Sequence, residues 1–308
     1  MTGEQAGAAV AAGRRRTLSR RHLERLSGFE RLSPQVGALD EEAFEDLMAD
    51  DPDAALALVA EASRATDPRL RQLARRLAAR VMVDVARQGR HRSAGVGTMT
   101  TNRYEPDAGD IDLDASVDAL TRHRAGAGLD VDGLRVRGWS RPTTALCLLV
   151  DHSGSMAGRP LAAAAVGAAA VAARAPAHYA VASFSSAVLV LKPMHERTPA
   201  ELVIDDLLAL RSCGVTDVAE ALNESGRQLS GAPAARRVTV LFSDCRATAP
   251  GDVVAAARDL DELVIVAPEH DDIEAGALAG AVGARLATVG GPSDVPGALD
   301  TLLAPAPS

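Results

Sequence analysis

Aromatic residues are scarce in this chain, and lysine is almost absent. Aromatic residues make up 2% of the 308 residues, and Lys192 is the single lysine. The phosphate-binding loop of P-loop ATPases requires a lysine within a glycine-rich pattern, and no such pattern occurs, so the chain cannot itself be a P-loop ATPase. Hydrophobic residues still reach 47%. A core of alanine, valine and leucine is therefore expected, which favours close packing of helices on a sheet.

Cysteine is also rare, and long apolar runs are missing. Cys147, Cys213 and Cys245 are odd in number and widely spaced, so they match neither a disulfide framework nor a zinc site. The most hydrophobic segment, residues 161–173, is shorter than the roughly 18 apolar residues that a membrane span needs. The arginine cluster at residues 14–16 precedes a charged, amphipathic segment and not a secretory signal. These features predict a cytoplasmic protein without membrane insertion.

Positive charge is in short supply in the C-terminal half. Residues 141–308 contain 12 basic and 19 acidic residues, so this half carries −7 of the total net charge of −8. Binding to nucleic acid requires a basic surface that neutralises phosphates. Nucleic acid is therefore not an expected partner of this half.

Local patterns divide the chain into four parts. Residues 1–13 are predicted to be a disordered tail, 14–90 a helical region, 91–141 a linker or irregular segment, and 142–304 an α/β domain. Asp51-Pro52 and Asp67-Pro68 each offer a capping carboxylate followed by proline at the first helical position. The sequence from 88 to 104 is rich in glycine, serine, threonine and arginine, which predicts a loop.

The helix that follows Pro68 has an apolar stripe and many arginines. The stripe has helical spacing, and its residues are Leu70, Leu73, Leu77, Val81 and Val85. The arginines that flank or oppose it are Arg69, Arg71, Arg75, Arg76, Arg80 and Arg87. Two interpretations remain open: a solvated helix face, which is typical of charge runs, or a basic docking face for an acidic partner.

The segment before the α/β domain offers two weak patterns. Aspartates alternate with aliphatic residues from Asp110 to Asp114, as in part of a calcium loop. The glycine and the terminal glutamate of an EF-hand are missing, so the sequence gives little support to a calcium site. A second alternation, from Leu134 to Arg137, is typical of an edge strand.

Strand and helix patterns alternate from residue 142 onward. Apolar strand segments are predicted at 145–150, 178–184, 188–191, 237–243, 262–267 and 285–289. Helices are predicted at 199–210, 217–229, 252–260, 271–282 and 295–303. This alternation is typical of a doubly wound parallel sheet with helices on its faces.

Oxygen-bearing side chains follow the first of these strands. Asp151, Ser153 and Ser155 come directly after the apolar run 145–150. One carboxylate and two hydroxyls at the end of a strand are hard ligands, which suit Mg²⁺ and also Mn²⁺.

Two further residues are expected at the same edge of the sheet. Asp244 ends a later strand, and Thr216 precedes the helix that leads into that strand. Ligand sites in open α/β sheets lie beyond the carboxyl ends of the strands. We therefore expect a metal site formed by Asp151, Ser153, Ser155, Thr216 and Asp244. The alternatives are that the serines and Thr216 only cap helices, that Asp244 is only a turn residue, and that His152 serves packing or lies at the surface.

This set of residues resembles the metal-ion-dependent adhesion site of the von Willebrand factor A (VWA) domain. The resemblance covers residues 142–304 and lies in Asp151-x-Ser153-x-Ser155, Thr216 and Asp244. It implies a mostly parallel six-stranded sheet with one antiparallel edge strand. It also implies Mg²⁺ held by the three hydroxyls, with the aspartates bound directly or through water. Val215 and Cys245 stand where this family usually has glycine, although neither change removes a ligand.

The order of the two regions is similar to that in a bacterial intracellular branch of VWA proteins. This branch includes CoxE-like proteins and the D subunit of magnesium chelatase, which are associated with MoxR-type AAA+ ATPases. The resemblance implies a non-enzymatic adaptor that binds such an ATPase and a client protein whose carboxylate completes the metal site. Two alternatives remain open. One is a chelatase-type subunit for metal insertion, and the other is a magnesium-dependent hydrolase, for which no general base and no G-x-S-x-G motif is evident.

Overall fold

The computed structural model describes residues 17–88, 98–104, 110–126, 128, 130–140, 143–156, 158–210 and 215–304. The predicted tail at 1–13 and Cys213 lie outside these residues. The chain forms two compact units. One comprises residues 1–91 together with 144–308, and the other comprises residues 92–143. Within the described residues, no helix is both long enough and apolar enough to cross a membrane.

The N-terminal part of the first unit is helical, as predicted. Its helices are α1 (Arg20–Leu23), α2 (Phe29–Leu32), α3 (Glu41–Asp50), α4 (Pro52–Ala62) and α5 (Pro68–Gln88). Both predicted caps are confirmed. The Asp51 carboxylate accepts a hydrogen bond from the Ala54 amide at 2.9 Å, and that of Asp67 accepts one from the Leu70 amide at 2.7 Å. These side chains satisfy amides that a helix leaves unpaired at its first turn.

The second unit contains a small antiparallel sheet. Its elements are β1 (Thr98–Arg103), β2 (Asp110–Ile111), α6 (Val117–Arg124) and β3 (Arg135–Ser140), and the strand order is β1-β3-β2. The predicted loop at 88–104 is wrong for residues 98–103, which form β1. The prediction of an edge strand near Leu134 is also wrong, since β3 is the central strand. Both errors have one cause: the two strands pair across more than thirty residues, and local patterns do not show such pairing.

The rest of the first unit is a six-stranded α/β structure. Its elements are β4 (Thr144–Asp151), α7 (Arg159–Arg174), β5 (Tyr179–Phe184), β6 (Val188–Lys192), α8 (Ala200–Ala209), α9 (Val218–Ser230), β7 (Arg236–Phe242), α10 (Val253–Arg258), β8 (Leu263–Pro268), α11 (Ile273–Val282), β9 (Arg285–Val289) and α12 (Val295–Leu303). The strand order is β6-β5-β4-β7-β8-β9, with β6 antiparallel and the other pairs parallel. The predicted doubly wound, mostly parallel sheet is confirmed.

Alternate side chains of β4 enter two different cores. Leu146, Leu148 and Val150 belong to the core on the α7 side of the sheet. Ala145, Cys147 and Leu149 belong to the core on the α9 side. Because successive side chains of a strand point to opposite faces, a fully buried strand needs apolar residues throughout. Cys147 is therefore a core residue, as the sequence predicted.

The helical region packs on α7 and shares its core. Eleven residues of α7 are buried, and all of them are small or aliphatic. A Cβ added at Gly167 would lie 2.7 Å from the Phe242 ring, so this helix can approach the sheet closely only without a side chain there. Charged contacts border the packed surface. Arg159 pairs with Asp51 at 3.4 Å, and the Ser293 amide donates to the Asp53 carboxylate at 2.8 Å.

Lys192 is buried at the end of β6, with 2% of its surface exposed. Its Nζ donates to the carbonyl oxygens of Tyr179 at 2.6 Å and Pro193 at 3.0 Å. It also lies 4.1 Å from the centre of the Tyr179 ring. Burial lowers the pKa of this lysine.

An ion-pair cluster lies at the amino end of the sheet. The guanidinium of Arg236 binds both carboxylate oxygens of Glu262, at 2.8 and 2.7 Å, and Arg285 binds the same carboxylate. Hydrogen bonds from Arg236 are the main reason that the pKa of Glu262 is lowered.

Candidate metal site

Asp151 is the last residue of β4, and none of its surface is exposed. Its Oδ1 accepts a hydrogen bond from the Ser153 amide at 2.8 Å, and its Oδ2 accepts one from Ser243 Oγ at 2.7 Å. The first bond closes the chain into a tight turn directly after the strand. The second joins β4 to the end of the neighbouring strand β7. Both oxygens are thus held in place by donors that carry no charge.

Asp244 lies at the same edge of the sheet, just beyond β7. β4 and β7 are parallel neighbours in which Val150 pairs with Phe242, so Asp151 is level with Ser243 and Asp244 lies one residue further along. Asp244 is 2% exposed, and its Oδ1 accepts from the Arg246 amide at 3.0 Å. The pKa of Asp151 is raised, chiefly by burial and further by the negative charge of Asp244. Two buried carboxylates therefore lie close enough to influence each other.

Thr216 is brought to this edge by its backbone contacts. It precedes α9 and is 3% exposed. Its amide donates to Thr248 Oγ1 at 2.8 Å, and the Thr248 amide donates back to its carbonyl at 3.0 Å. The next amide, that of Asp217, donates to the carbonyl of Ser185 in the turn between β5 and β6, at 2.8 Å. Thr216 is thus held between that turn and the loop that follows Asp244.

Of the two serines of the motif, only Ser153 has a side chain within the described part of the structure. Ser153 is 7% exposed, and its side chain forms a hydrogen bond with Asp151 that lowers the pKa of that carboxyl. Ser155 belongs to the short 3₁₀ turn Gly154–Met156. Its side chain lies outside the described part of the structure, so its role as a ligand stays a prediction.

His152 lies between the motif residues in sequence but bonds elsewhere. Its Nδ1 is 2.6 Å from Ser183 Oγ, and its amide donates to the Phe184 carbonyl at 3.0 Å. Burial lowers the pKa of His152 to about 4, so the imidazole is neutral at pH 7. These contacts agree with the packing role that was expected for this residue.

Cys245 occupies a backbone conformation that favours glycine. Its φ of 61° is the only positive value at a non-glycine among the described residues. This explains in physical terms why glycine is suited to the position after Asp244, since glycine adopts positive φ without steric cost. Burial, with the charges of Asp244 and Asp151, raises the pKa of the Cys245 thiol to about 12. The thiol is therefore protonated at neutral pH and is a poor nucleophile.

Two residues that the sequence alone does not single out, Ser243 and Thr248, also belong to this edge. Ser243 Oγ donates to Asp151 and accepts from the Cys245 amide at 2.9 Å, so one hydroxyl connects both strand ends. Thr248 holds Thr216 in the same way across two loops. The sequence offers one signal for Ser243: it lies next to Asp244, and the ends of parallel strands meet at one edge of a sheet, so it is expected near Asp151. Thr248 had no such signal, since it lies in a loop.

The donor set at this edge fits a divalent cation that prefers oxygen. The described residues contain no group of three or more histidine, cysteine, aspartate or glutamate side chains suited to a metal. A metal here would therefore need hydroxyl ligands in addition to the two carboxylates. Burial of two like charges is unfavourable unless a positive charge compensates them. Asp151, Asp244 and the hydroxyls of Ser153 and Thr216 would hold Mg²⁺ or Mn²⁺, which favour such ligands.

Comparison with known families identifies the family of the chain. The model of the family described as "VWA domain containing CoxE-like protein" matches residues 57–289. The chain belongs to this family. The match begins within α4 and ends with β9. It therefore includes part of the helical region of this CoxE-like VWA protein as well as the sheet. A search of the curated proteins found no significant match.

Solved structures that match about half of this VWA protein share little sequence with it. The D319A mutant of the PilB minor pilin from Streptococcus sanguinis is 10% identical, with a TM-score of 0.43, over 55% of this chain and 63% of the pilin. A von Willebrand factor type A protein from Catenulispora acidiphila is 18% identical, with a TM-score of 0.41, over 53% of this chain and 42% of that protein. The manganese-loaded TRAP protein of Plasmodium vivax is 14% identical, with a TM-score of 0.43, over 53% and 74% of the two chains.

Proposed function

We propose that this CoxE-like VWA protein is a metal-dependent adaptor that binds a client protein and works with a MoxR-type AAA+ ATPase. The observation that carries the proposal is the pair of buried carboxylates, Asp151 and Asp244, at one edge of the sheet with Ser153 and Thr216. When bound there, Mg²⁺ or Mn²⁺ would supply a positive centre to which a carboxylate of the client can bind. The client would then be recognised only in the metal-loaded state.

Binding, and not catalysis, is supported by the state of the neighbouring side chains. A hydrolase needs a general base or an activated nucleophile near the metal. The neutral His152 imidazole is bonded to Ser183 Oγ, and the Cys245 thiol is protonated. Asp151 has both oxygens engaged by Ser153 and Ser243. These residues position a metal and offer no activated group.

A partner ATPase is proposed because the sequence lacks a P-loop of its own. Any ATP-driven step must then come from a second protein, and MoxR-type ATPases are the partners that the CoxE-like resemblance implies. We place the adaptor in the cytoplasm, in the maturation or metal loading of a client complex. The helical region is the part that would face the ATPase.

Metal binding is tested first on the purified protein by calorimetric titration with Mg²⁺ and with Mn²⁺. We expect one site that is lost in Asp151→Ala and in Asp244→Ala. Thr216→Val removes a hydroxyl and should weaken binding, while Thr216→Ser should retain it. Glu262→Gln is the matched control, since this carboxylate lies at the opposite end of the same sheet. Equal affinity in all five variants would contradict the proposed site.

Partner binding is tested by affinity purification from native lysate in Mg²⁺ and in EDTA, followed by mass spectrometry. We expect the client to be lost both in EDTA and with Asp151→Ala. An AAA+ ATPase should remain with both, because it binds another surface. If Asp151→Ala retained every partner at wild-type strength, the metal site would have no role in recruitment and the adaptor function would be refuted.

A further inference from the structure

A long groove runs between α5 and α8 in the first unit, away from the metal site. Its volume is about 660 Å³, and it is lined along α5 from Pro68 to Arg87 and by Glu201, Leu202 and Asp205 of α8. The residues of α5 that line it recur every three or four positions, so they form one face of the helix. That face extends over roughly 28 Å, since a helix rises about 1.5 Å per residue.

Arginines dominate the charge of this α5–α8 groove. Five arginines line it, namely Arg71, Arg75, Arg76, Arg80 and Arg87, against the three carboxylates of Asp84, Glu201 and Asp205. The excess is therefore positive, although the chain as a whole carries −8. Such a local excess attracts an acidic partner and repels a basic one.

Three of these arginines pair with carboxylates, Arg87 with Asp84 at 3.8 Å among them, and two form no ion pair with any residue that the structure describes. Arg75 pairs with Asp205 at 3.2 Å, and Arg80 pairs with Glu41 at 2.5 Å. Arg71 donates to the Ala65 carbonyl at 3.1 Å, which leaves its charge without a carboxylate among the described residues. Arg76 is exposed and forms no ion pair with any residue that the structure describes. Arg71 and Arg76 are thus the positions where an acidic partner would gain ion pairs.

The groove also has an apolar strip. Ala79 and Val83 form its floor on α5, and each is less than a tenth exposed. Leu202 of α8 also lines the groove, with 56% of its surface exposed. An apolar strip flanked by positive charges along a helix face fits an amphipathic helix, whose apolar residues recur at the same spacing.

We propose that the α5–α8 groove binds an acidic amphipathic helix of a partner protein. Leucine-type side chains of this helix contact Leu202 and Val83, and glutamates or aspartates beside them pair with Arg71 and Arg76. The inference deepens the proposed function and rests on it in one respect: it assigns a surface to the partner that does not bind the metal. Recognition at the groove requires no metal.

The test uses a synthetic acidic amphipathic helix of about 19 residues, the length that follows α5. It carries a fluorescent label and is titrated with the full chain while anisotropy is measured. We expect saturable binding in EDTA as well as in Mg²⁺, and weaker binding as salt increases. A basic peptide, with lysine in place of each glutamate, should not bind.

Matched variants then locate the binding surface. Arg76→Glu should weaken binding about fivefold to tenfold, because it replaces an exposed ion pair by repulsion. Arg69→Glu makes the same change of charge on an exposed arginine of α5 that does not line the groove, so its affinity should remain close to wild type. Leu202→Ser should weaken binding, while Ile273→Ser, at an exposed position on α11, should not.

Two results would overturn the inference. One is the absence of saturable binding of the acidic helix, and the other is an equal loss in Arg76→Glu and Arg69→Glu, which would show that only net charge matters. Metal titration of the wild-type chain separates this inference from the metal site. If the chain binds Mg²⁺ but not the acidic helix, only the groove proposal is refuted. If the chain binds the acidic helix but not Mg²⁺, only the metal-dependent function is refuted.

Discussion

The two ends of the large sheet treat carboxylates in opposite ways. At the amino end, Glu262 is bound by the guanidinium groups of Arg236 and Arg285, and its pKa is lowered. At the carboxyl end, Asp151 is buried beside Asp244 with amide and hydroxyl donors, and its pKa is raised. The same type of side chain is thus stabilised as an anion at one end and destabilised at the other.

The difference shows where the chain balances a negative charge with its own arginines and where it does not. Arginine neutralises the amino end from within the chain, so that end needs nothing further. At the carboxyl end, the buried carboxylates of Asp151 and Asp244 accept hydrogen bonds only from uncharged amide and hydroxyl groups among the contacts described above. A cation from solution is the simplest compensation there, and substitutions at the two ends should therefore have different effects.

The largest effect is expected for Asp151→Asn, and its sign should depend on Mg²⁺. In EDTA the variant should be more stable than the wild type, because it removes one of two buried like charges. In Mg²⁺ the wild type should gain about 2.7 kcal/mol at a concentration a hundred times the dissociation constant, a gain that the variant loses. Urea denaturation under both conditions measures this crossover. If the wild type were the more stable protein in EDTA as well, the contrast between the two ends would be wrong.

A smaller effect is expected for Ser243→Ala, which removes the hydroxyl that orients Asp151. Affinity for Mg²⁺ should fall about tenfold, since partners that orient metal ligands typically contribute 10- to 100-fold. Ser225→Ala is the matched control. Its buried hydroxyl forms a hydrogen bond with Thr239 Oγ1 at 2.7 Å and is not part of the metal site. Both variants lose one buried hydroxyl, so equal losses of affinity in calorimetric titration would show that Ser243 has no specific role.

The smallest effect is expected for Glu262→Gln at the amino end. Folding lowers the pKa of Glu262, so the ionised carboxylate stabilises the folded state. This contribution to the free energy of unfolding is present above the unfolded pKa near 4.5 and disappears as the pH falls through the folded pKa. At pH 7 the variant should lose up to about 1 kcal/mol of its free energy of unfolding. The loss is small because the ion pair is partly exposed and screened by solvent.

Thermal denaturation between pH 7 and pH 3 should show the difference between Glu262→Gln and wild type shrinking with acidity. The control is Asp261→Asn, whose ion pair with Arg237 is long, at 3.7 Å, and whose side chain is 63% exposed. It should have almost no effect at any pH. A loss in Glu262→Gln that persisted at pH 3 would mean that packing, and not charge, explains its contribution.

Much of this fold could be predicted because its strands are locally distinct. The apolar run before Asp151 is buried throughout, and a fully apolar strand of this length is typical of the middle of a parallel sheet. The positions of Asp151, Thr216 and Asp244 followed from a general rule about the carboxyl ends of strands. These are properties that a single stretch of sequence carries.

What escaped prediction depends on contacts between distant segments. The sequence of β1 predicts a loop because its partner, β3, lies more than thirty residues away and β1 itself has no apolar alternation. The sequence predicts Ser243 only as the last residue of a strand, and its hydrogen bond to Asp151 is what places it at the site. The arginines of α5 left two interpretations open, because only the position of α8 shows that several of them line a groove.

The burial of Lys192 has a practical consequence for mapping the partners. It is the single lysine of the sequence and is inaccessible within the fold, with its amine held by two carbonyl groups. Amine-reactive cross-linkers would find no accessible lysine side chain on either the sheet edge or the groove. Reagents that couple carboxylates, or photoreactive residues introduced at single sites, are the chemistry suited to this surface.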